Sequence, residues 1–240
     1  MPFRKEFFIA LNNWQKGWRE SQEKKNGYAE LLKNECKLIN NKYKRVSGPC
    51  YRKRFIQNGE MVDIILKDYK SEGLASWTTD VRYAEMFKGK YRDDAVTAAV
   101  FERNPTEDEV ILNLSELWQC SDFVEELEKF NEDSPEDCCA IYNFKDMQKE
   151  VILEAVLKGS EICMLSGKSS SFDDLCDSLN IPEPDRPAEF KRLIDGGAFI
   201  EEVRYIGDQA ARNAIQNTIL KFYERLEKAN ENNKNNQQKR

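Results

Sequence analysis

The segment Leu74-Ala75-Ser76-Trp77-Thr78-Thr79-Asp80-Val81-Arg82-Tyr83-Ala84-Glu85-Met86-Phe87 changes from strand-like to helix-like character within fourteen residues. Its first part, Leu74 to Thr78, is short and rich in residues that favour strands. Asp80 is a good N-cap residue, and Ala84 and Phe87 follow at helical spacing. The segment therefore predicts a strand, a capped turn and a helix, which favours a fold that mixes both element types.

Further strands are predicted on both sides of this segment. Each candidate is a short run of β-branched, aromatic or aliphatic residues bounded by polar or turn-forming residues. Arg52 and Arg54 lie on one face of the first of them, because alternate residues of a strand point the same way. The predicted strands are Cys50 to Ile56, Ala95 to Phe101, Val110 to Leu114, Val151 to Leu157 and Ile162 to Leu165.

Helical periodicity occurs at several places outside these strands. Residues 1–45 carry apolar residues at helical spacing, with a break predicted near Asn26-Gly27. A short amphipathic helix is predicted from Met61 to about Tyr69, with its end at Gly73. Another helix is predicted around Phe123, Leu127 and Phe130. The fold class predicted from these patterns is α+β.

The chain divides into four predicted regions. These are an N-terminal helical region (1–45), a mixed β core (46–168), a helical C-terminal region (169–228) and a disordered polar tail (229–240). In the C-terminal region Ser171 and Asp174 resemble a capping box, and helices are predicted at 188–193 and 209–226.

Composition excludes several classes of protein. The chain contains no histidine, so it cannot build a Ser-His-Asp triad, a Cys-His dyad or a histidine-ligated metal centre. Its seven cysteines show no metal-ligand spacing. No stretch is long and apolar enough to span a bilayer, and we expect a cytoplasmic protein without a membrane partner.

Charge is distributed unevenly along the sequence. Residues 1–55 hold 14 Lys and Arg against 5 Asp and Glu, although the whole chain has a net charge of −6. The basic N-terminal region is therefore predicted either to attract an anionic partner or to form an ordinary solvated surface.

Three residues at the ends of predicted strands carry the main functional signal: Arg52, Ser76 and Glu150. Each has an ordinary explanation as well. Arg52 fits a solvated basic strand, Ser76 fits a strand-to-helix turn, and Glu150 fits a charged residue that opens a buried strand.

Together, the arginine of the first strand, the Ser76-Trp77-Thr78 turn before a helix, and the Gln148-Lys149-Glu150 sequence that opens a later strand resemble the arginine-serine-glutamate class of ADP-ribosyltransferases. The resemblance covers about Cys50 to Leu157. It implies an ADP-ribosyltransferase-like mixed β core flanked by helices, with NAD as co-substrate and no metal ion.

The resemblance also implies roles for individual residues. Glu150 would stabilise the oxocarbenium-like ribose of the transition state and bind the ribose 2′-hydroxyl. Ser76 would orient Glu150 and contact the ribose, with Thr78 in support. Arg52 would grip the NAD pyrophosphate, and Arg54 is the alternative.

Acceptor recognition is assigned by resemblance to the loop before Glu150. Relatives that modify arginine usually carry a second glutamate where this chain has Gln148, so a non-arginine protein side chain or a nucleic-acid base is the expected acceptor. Phe144 and Tyr142 lie where Rho-modifying clostridial exoenzymes place an aromatic residue that touches the target. Packing in the core is the alternative for both aromatic residues.

The sequence leaves three functions open. The first is a mono-ADP-ribosyltransferase that acts as a toxin or host-modifying effector, as in toxin-antitoxin or phage defence systems, with an inhibitor or antitoxin protein as a further partner. The second is an NAD glycohydrolase that uses the same site. The third is a non-catalytic module whose basic N-terminal region binds RNA, DNA or an acidic protein.

Overall fold

Strands and helices are distributed along the whole described part of the 240-residue chain. The computed structural model describes residues 3–88, 92, 94–145, 148–166, 176, 179–196 and 208–237. The strands are β1 (Cys50–Ile56), β2 (Lys70–Thr78), β3 (Thr97–Arg103), β4 (Val110–Asn113), β5 (Glu150–Leu157) and β6 (Ile162–Ser166). The helices are α1 (Lys5–Lys16), α2 (Gln22–Cys36), α3 (Val81–Met86), α4 (Leu114–Trp118), α5 (Ser121–Asp133), α6 (Cys139–Asn143), α7 (Arg186–Asp195) and α8 (Asp208–Gln237).

The six strands form a sheet in the order β4-β5-β2-β1-β3-β6. Antiparallel pairing joins β1 to β2, with Tyr51 opposite Thr78, and also joins β3 to β6 and β4 to β5. The architecture is therefore mixed α/β, in agreement with the predicted α+β class, and the paired strands named here are antiparallel. The predicted strand from Cys50 to Ile56 is confirmed residue for residue, and the others are confirmed within a few residues.

Contacts along the chain define two compact units. The first comprises residues 1–52, 71–84 and 102–156, and the second comprises residues 53–70, 85–101 and 157–240. Strands β1 and β2 each contribute residues to both units.

Aromatic and aliphatic side chains form the core of the first unit. Phe8 stacks on Phe130 with ring centroids 5.3 Å apart, and Phe3 meets Phe123 edge-on at 5.4 Å. Leu11 and Leu32 are fully buried in the same cluster. Helices α1, α2 and α5 thus bury their apolar faces together, which fixes α1 within this unit.

The second unit is built around the β3 and β6 pair, where Ala99 lies opposite Leu165. Helix α8 packs on β6, with Ala211 completely buried. Gly159 approaches the chain at Ile64 so closely that an added Cβ would lie 2.6 Å from the Ile64 carbonyl oxygen. This position therefore requires glycine.

Two helix boundaries in the first half of the chain differ from the predictions. The predicted break near Asn26-Gly27 is wrong, because the chain breaks between α1 and α2 and Gly27 lies inside α2. Ser21 caps α2 by accepting a hydrogen bond from the Lys24 backbone N–H at 3.5 Å, and a cap of this kind sets a helix start more strongly than an interior glycine ends one.

The predicted helix from Met61 to Tyr69 is replaced by a short π-helical segment, Val62–Leu66. Its predicted end at Gly73 is also wrong, since Gly73 lies within β2 at a φ of +65°. The chain turns earlier, at Asp68, whose φ is 52° and whose carboxylate accepts hydrogen bonds from Ser160.

The C-terminal helices extend beyond the predicted ranges. Helix α7 contains the predicted 188–193 segment, and α8 contains the predicted 209–226 segment. Helix α8 continues to Gln237, where composition predicts a disordered tail, because residues 227–237 contain neither the glycine nor the proline that usually ends a helix. The predicted capping box at Ser171 and Asp174 lies outside the described residues.

Candidate active site

The strand order places the three candidate residues on neighbouring strands of the first unit. Arg52 lies in β1, Ser76 lies in β2, and Glu150 is the first residue of β5. Because β2 lies between β5 and β1, residues 24 and 74 positions apart in sequence can meet at one place. The structure therefore brings Arg52, Ser76 and Glu150 together.

Ser76 and Glu150 are joined directly. The Ser76 hydroxyl donates a hydrogen bond to Glu150 Oε1 at 2.5 Å. The other carboxylate oxygen, Oε2, accepts a hydrogen bond from Nε2 of Gln15 at 3.3 Å. Glu150 is only 6% exposed, so these two donors replace water around a buried carboxylate.

The arrangement leaves Glu150 with a perturbed acidity. Burial raises the pKa of Glu150 above its ordinary value, because desolvation penalises the charged form. The hydrogen bonds from Ser76 and Gln15, and the charge of Arg52, act in the opposite direction. A buried carboxylate whose pKa is shifted by desolvation and by specific neighbours is typical of functional sites.

Arg52 is held by the strand next to its own. Its Nε donates to Glu72 Oε2 at 2.8 Å, and Nη1 donates to the Ser76 backbone carbonyl at 2.6 Å. Burial lowers the pKa of Arg52 to about 10, while the negative charge of Glu150 raises it. Arg54 is engaged elsewhere, since it donates to Glu60 within the second unit at 2.9 Å. The geometry therefore favours Arg52 over Arg54 as the partner of Ser76 and Glu150.

Thr78 ties the turn after β2 to the loop before Glu150. Its hydroxyl donates to the Gln148 backbone carbonyl at 2.6 Å and accepts from the Asp80 backbone N–H at 3.0 Å. The Thr79 backbone N–H donates to the Lys149 carbonyl at 3.2 Å. Two of these hydrogen bonds hold the Gln148 and Lys149 carbonyls, and the third holds the turn after β2.

Asp80 strengthens the same junction. Its carboxylate accepts from the Arg82 and Tyr83 backbone N–H groups, which confirms the predicted cap of α3. Its other oxygen pairs with Lys149 Nζ at 3.2 Å. Lys149 has a φ of +42°, a conformation that is uncommon for a side-chain-bearing residue and that these bonds stabilise.

The two aromatic residues predicted to contact an acceptor lie on or beside α6. The ring of Tyr142 is 6.1 Å from that of Trp118 and packs against the core of the first unit. Phe144 follows the end of α6 and is half-buried. Packing thus accounts for Tyr142, and an acceptor contact by either residue stays a prediction.

Sequence reasoning missed a pair of amide side chains on α1. Asn12, completely buried, accepts from the Ala140 backbone N–H at 3.0 Å. Gln15, one turn later, is 9% exposed and donates to Glu150, while its own Oε1 is buried without a hydrogen-bond partner. The available signal was the placement of Asn12 and Gln15 on the apolar stripe of α1, since buried amides require partners.

Among the described residues, no group of three or more Cys, Asp or Glu side chains is arranged to hold a metal ion. Nor does the described part of the chain include a helix with the length and apolar character needed to cross a membrane. Comparison of the chain with protein-family models, curated proteins and solved structures gives no significant match.

Proposed function

We propose that the protein is a mono-ADP-ribosyltransferase that moves ADP-ribose from NAD to a macromolecular acceptor without a metal ion. The observation that carries the proposal is the hydrogen-bonded meeting of Ser76 with Glu150, beside Arg52, on three neighbouring strands. The resemblance noted in the sequence implies this meeting of the three residues.

Glu150 supplies the central chemistry of the proposed reaction. The glycosidic bond between ribose C1′ and nicotinamide breaks, and nicotinamide leaves with the electron pair. The ribose becomes oxocarbenium-like, and an ionised Glu150 stabilises a positive charge that develops mainly in the transition state. An acceptor nucleophile then bonds to C1′ and loses its proton, so that ADP-ribose is transferred.

Ser76 and Gln15 hold the carboxylate for this role. Their hydrogen bonds each occupy one carboxylate oxygen, which orients Glu150 and favours its ionised form. Both donors belong to regular elements, β2 and α1, so the orientation is built into the unit before any substrate binds.

Arg52 is assigned to the NAD pyrophosphate. Its guanidinium has five N–H donors, and the two hydrogen bonds to Glu72 and the Ser76 carbonyl leave donors for phosphate oxygens. Those same two bonds fix the guanidinium plane beside Ser76. A phosphate bound to Arg52 would therefore have a fixed position relative to Glu150. Lysine could not reproduce this geometry.

Gln148 is assigned to the acceptor. The Thr78 hydroxyl fixes its backbone, and it stands two residues before Glu150. A carboxamide cannot act as the base that an arginine acceptor requires, but it can bind an amide or a nucleobase edge. A toxin or host-modifying effector, controlled by an inhibitor or antitoxin protein, is the proposed biological setting.

The test is transfer of label from NAD that carries radioactive phosphate in its adenylate half. The full chain is incubated with cell extract that is afterwards treated with nuclease or with protease. Glu150→Gln is the inactive control, and Glu109→Gln is the matched control because Glu109 is also a partly buried glutamate of the first unit. We expect retained label that depends on Glu150 and not on Glu109.

The outcomes separate the three functions. Label that one treatment removes identifies the class of acceptor. Consumption of NAD without retained label would replace the transferase by a glycohydrolase with the same site. If the wild-type chain neither consumes nor binds NAD, a non-catalytic binding module takes the place of both enzymes.

A further inference from the structure

A basic cavity of about 960 Å³ lies in the first unit. Cationic side chains from three separate segments line it: Lys42 and Arg45 precede β1, Arg82 belongs to α3, and Lys149 precedes β5. The acidic lining residues are Asp80 and Glu116, so the cavity has an excess of positive charge in a chain whose net charge is −6.

The two arginines are the cations most available to a ligand. Asp80 already pairs with Lys149 and caps α3, which occupies its carboxylate. Among the described residues, neither Arg45 nor Arg82 has a carboxylate partner, and both side chains are exposed. Unpaired guanidinium groups that face one cavity from different elements are suited to phosphate groups spaced along a chain.

Sequence around the cavity strengthens the charge argument. Residues 37–49 include four Lys and Arg and not one Asp or Glu. Part of this stretch, from Val46 to Pro49, also lines the cavity. A basic segment that contributes to a basic cavity favours an extended polyanion over a single small anion.

The cavity neighbours the proposed active site along the chain, and its lining does not include the NAD-binding cation. Tyr51, Thr79 and Lys149 line it, and each is the chain neighbour of a residue assigned to the site: Arg52, Thr78 and Glu150 respectively. Arg52 itself is not a lining residue. Lys149 also directly follows Gln148, the residue assigned to the acceptor, and this adjacency favours an acceptor over NAD as the ligand of the cavity.

We propose that this cavity binds the phosphodiester backbone of a single-stranded nucleic acid, which is the acceptor of ADP-ribose. Arg45 and Arg82 contact phosphates of the bound strand. The proposal rests on the proposed transferase function for the fate of the bound strand, whereas the binding itself can be tested without NAD.

The first experiment measures binding by fluorescence anisotropy of fluorescein-labelled single-stranded RNA and DNA oligonucleotides of mixed sequence. The full-length double variant Arg45→Gln/Arg82→Gln is compared with Arg92→Gln/Arg192→Gln, which removes the same charge from exposed arginines that pair with Asp94 and Glu189. We expect the cavity variant to lose affinity by at least about tenfold and the matched control to keep it. Each lost phosphate contact should also lower the salt slope by about 0.7, as for single strands generally.

The second experiment titrates NAD with the same variants in the absence of acceptor. A rise in the Kd for NAD in the cavity variant, with oligonucleotide affinity retained, would overturn the proposal and assign the cavity to the NAD pyrophosphate. Failure of the wild-type chain to bind either oligonucleotide at low salt would also overturn it.

Failure of the transferase function has a different signature. If the wild-type chain binds the oligonucleotide through Arg45 and Arg82 but does not consume NAD, the nucleic-acid site stands and the enzyme proposal falls. Thermal unfolding of each variant verifies its fold, and both pairs of arginines lie on the surface, where substitution costs little stability.

Discussion

Two glutamates of the first unit lie near arginines, yet their surroundings shift their pKa values in opposite directions. Glu109 receives two hydrogen bonds from Arg103, at 2.5 and 3.1 Å, and this arginine lowers the pKa of Glu109. Glu150 receives its hydrogen bonds from the neutral Ser76 and Gln15, and burial raises its pKa. The contrast distinguishes a carboxylate held in an ion pair from a buried carboxylate held by neutral donors, which is the one that the proposed reaction uses.

The comparison also explains the position of Arg52. If its guanidinium paired directly with Glu150, as Arg103 pairs with Glu109, the carboxylate would be neutralised and less able to stabilise a ribosyl cation. Arg52 instead donates to Glu72 and to the Ser76 carbonyl. The positive charge of Arg52 thus acts to lower the pKa of Glu150, while the hydrogen bonds of its guanidinium go to other groups.

The largest expected effect is on the rate of NAD cleavage, which should depend on Glu150 and not on Glu109. Glu150→Gln should lower the kcat for NAD cleavage by a factor of about 10² to 10³, because a preorganised charge is lost from the transition state. The stability of this variant should stay the same or rise, since a desolvated charge is removed. Rate measurements and urea unfolding test both statements, and the idea fails if NAD cleavage survives in the variant.

Glu109→Gln should produce the converse result. Loss of the Arg103 ion pair should lower the free energy of unfolding by about 2 kcal/mol, with NAD cleavage retained. The pH dependence has a defined sign, because the pKa of Glu109 is lowered on folding. Its stabilisation is present above the pKa of an unfolded glutamate and is lost as the pH falls through the lower folded pKa. Urea unfolding across this acidic range checks the sign.

The raised pKa of Glu150 predicts the opposite trend. Its contribution to stability is greatest below the pKa of an unfolded glutamate and is lost as the pH rises through the raised folded pKa. The stability difference between wild type and Glu150→Gln should therefore change with pH in the reverse direction to that of Glu109→Gln. Parallel profiles would remove the distinction between the two carboxylates.

The two arginines of β1 give the next effect. Arg52→Lys should raise the KM for NAD by roughly tenfold. A lysine ammonium lacks the planar set of N–H donors with which arginine can bind Glu72, the Ser76 carbonyl and a phosphate at the same time. Arg54→Lys is the matched control, since Arg54 pairs with Glu60 in the second unit. Steady-state kinetics with NAD as the varied substrate test this. A larger effect at Arg54 would reassign the pyrophosphate contact to it.

Much of this site could be predicted from local sequence. The strand-favouring run from Cys50 to Ile56 and the Asp80 cap specify β1 and the start of α3, because both depend on residues close in the chain. Arg52, Ser76 and Glu150 could be selected as candidates because they lie at the ends of such elements. Their convergence depends on the strand order, which no local pattern encodes.

Gln15 shows the limit of local reasoning. Its contact with Glu150 joins residues 135 positions apart, and a single glutamine on an apolar helix face has many ordinary explanations. Gly73 shows the same limit in the backbone. Its φ of +65° occurs within strand β2, whereas the sequence predicts that this glycine ends a helix. Tertiary pairing decides such positions.

Gln15→Leu tests the missed contact. Removal of the Gln15 donor should raise the pKa of Glu150 further, so the acidic limb of the NAD cleavage profile should move to higher pH and kcat should fall severalfold. Gln22→Leu, at an exposed position of α2, is the matched control. The pH profile of kcat/KM is the measurement, and an unmoved acidic limb would show that Gln15 only fills space.

The smallest expected effect concerns the junction before Glu150. Thr78→Val keeps the shape of the side chain but removes its hydrogen bonds with the Gln148 carbonyl and the Asp80 backbone N–H. It should lower the free energy of unfolding by about 1 kcal/mol and reduce transfer to the acceptor more than cleavage of NAD, because Gln148 loses its fixed backbone. Thr79→Val is the control, since the structure uses the backbone of Thr79. Equal losses of transfer and cleavage would mean that this junction supports Glu150 rather than acceptor recognition. Gln148 would then have a structural role, as Glu109 has.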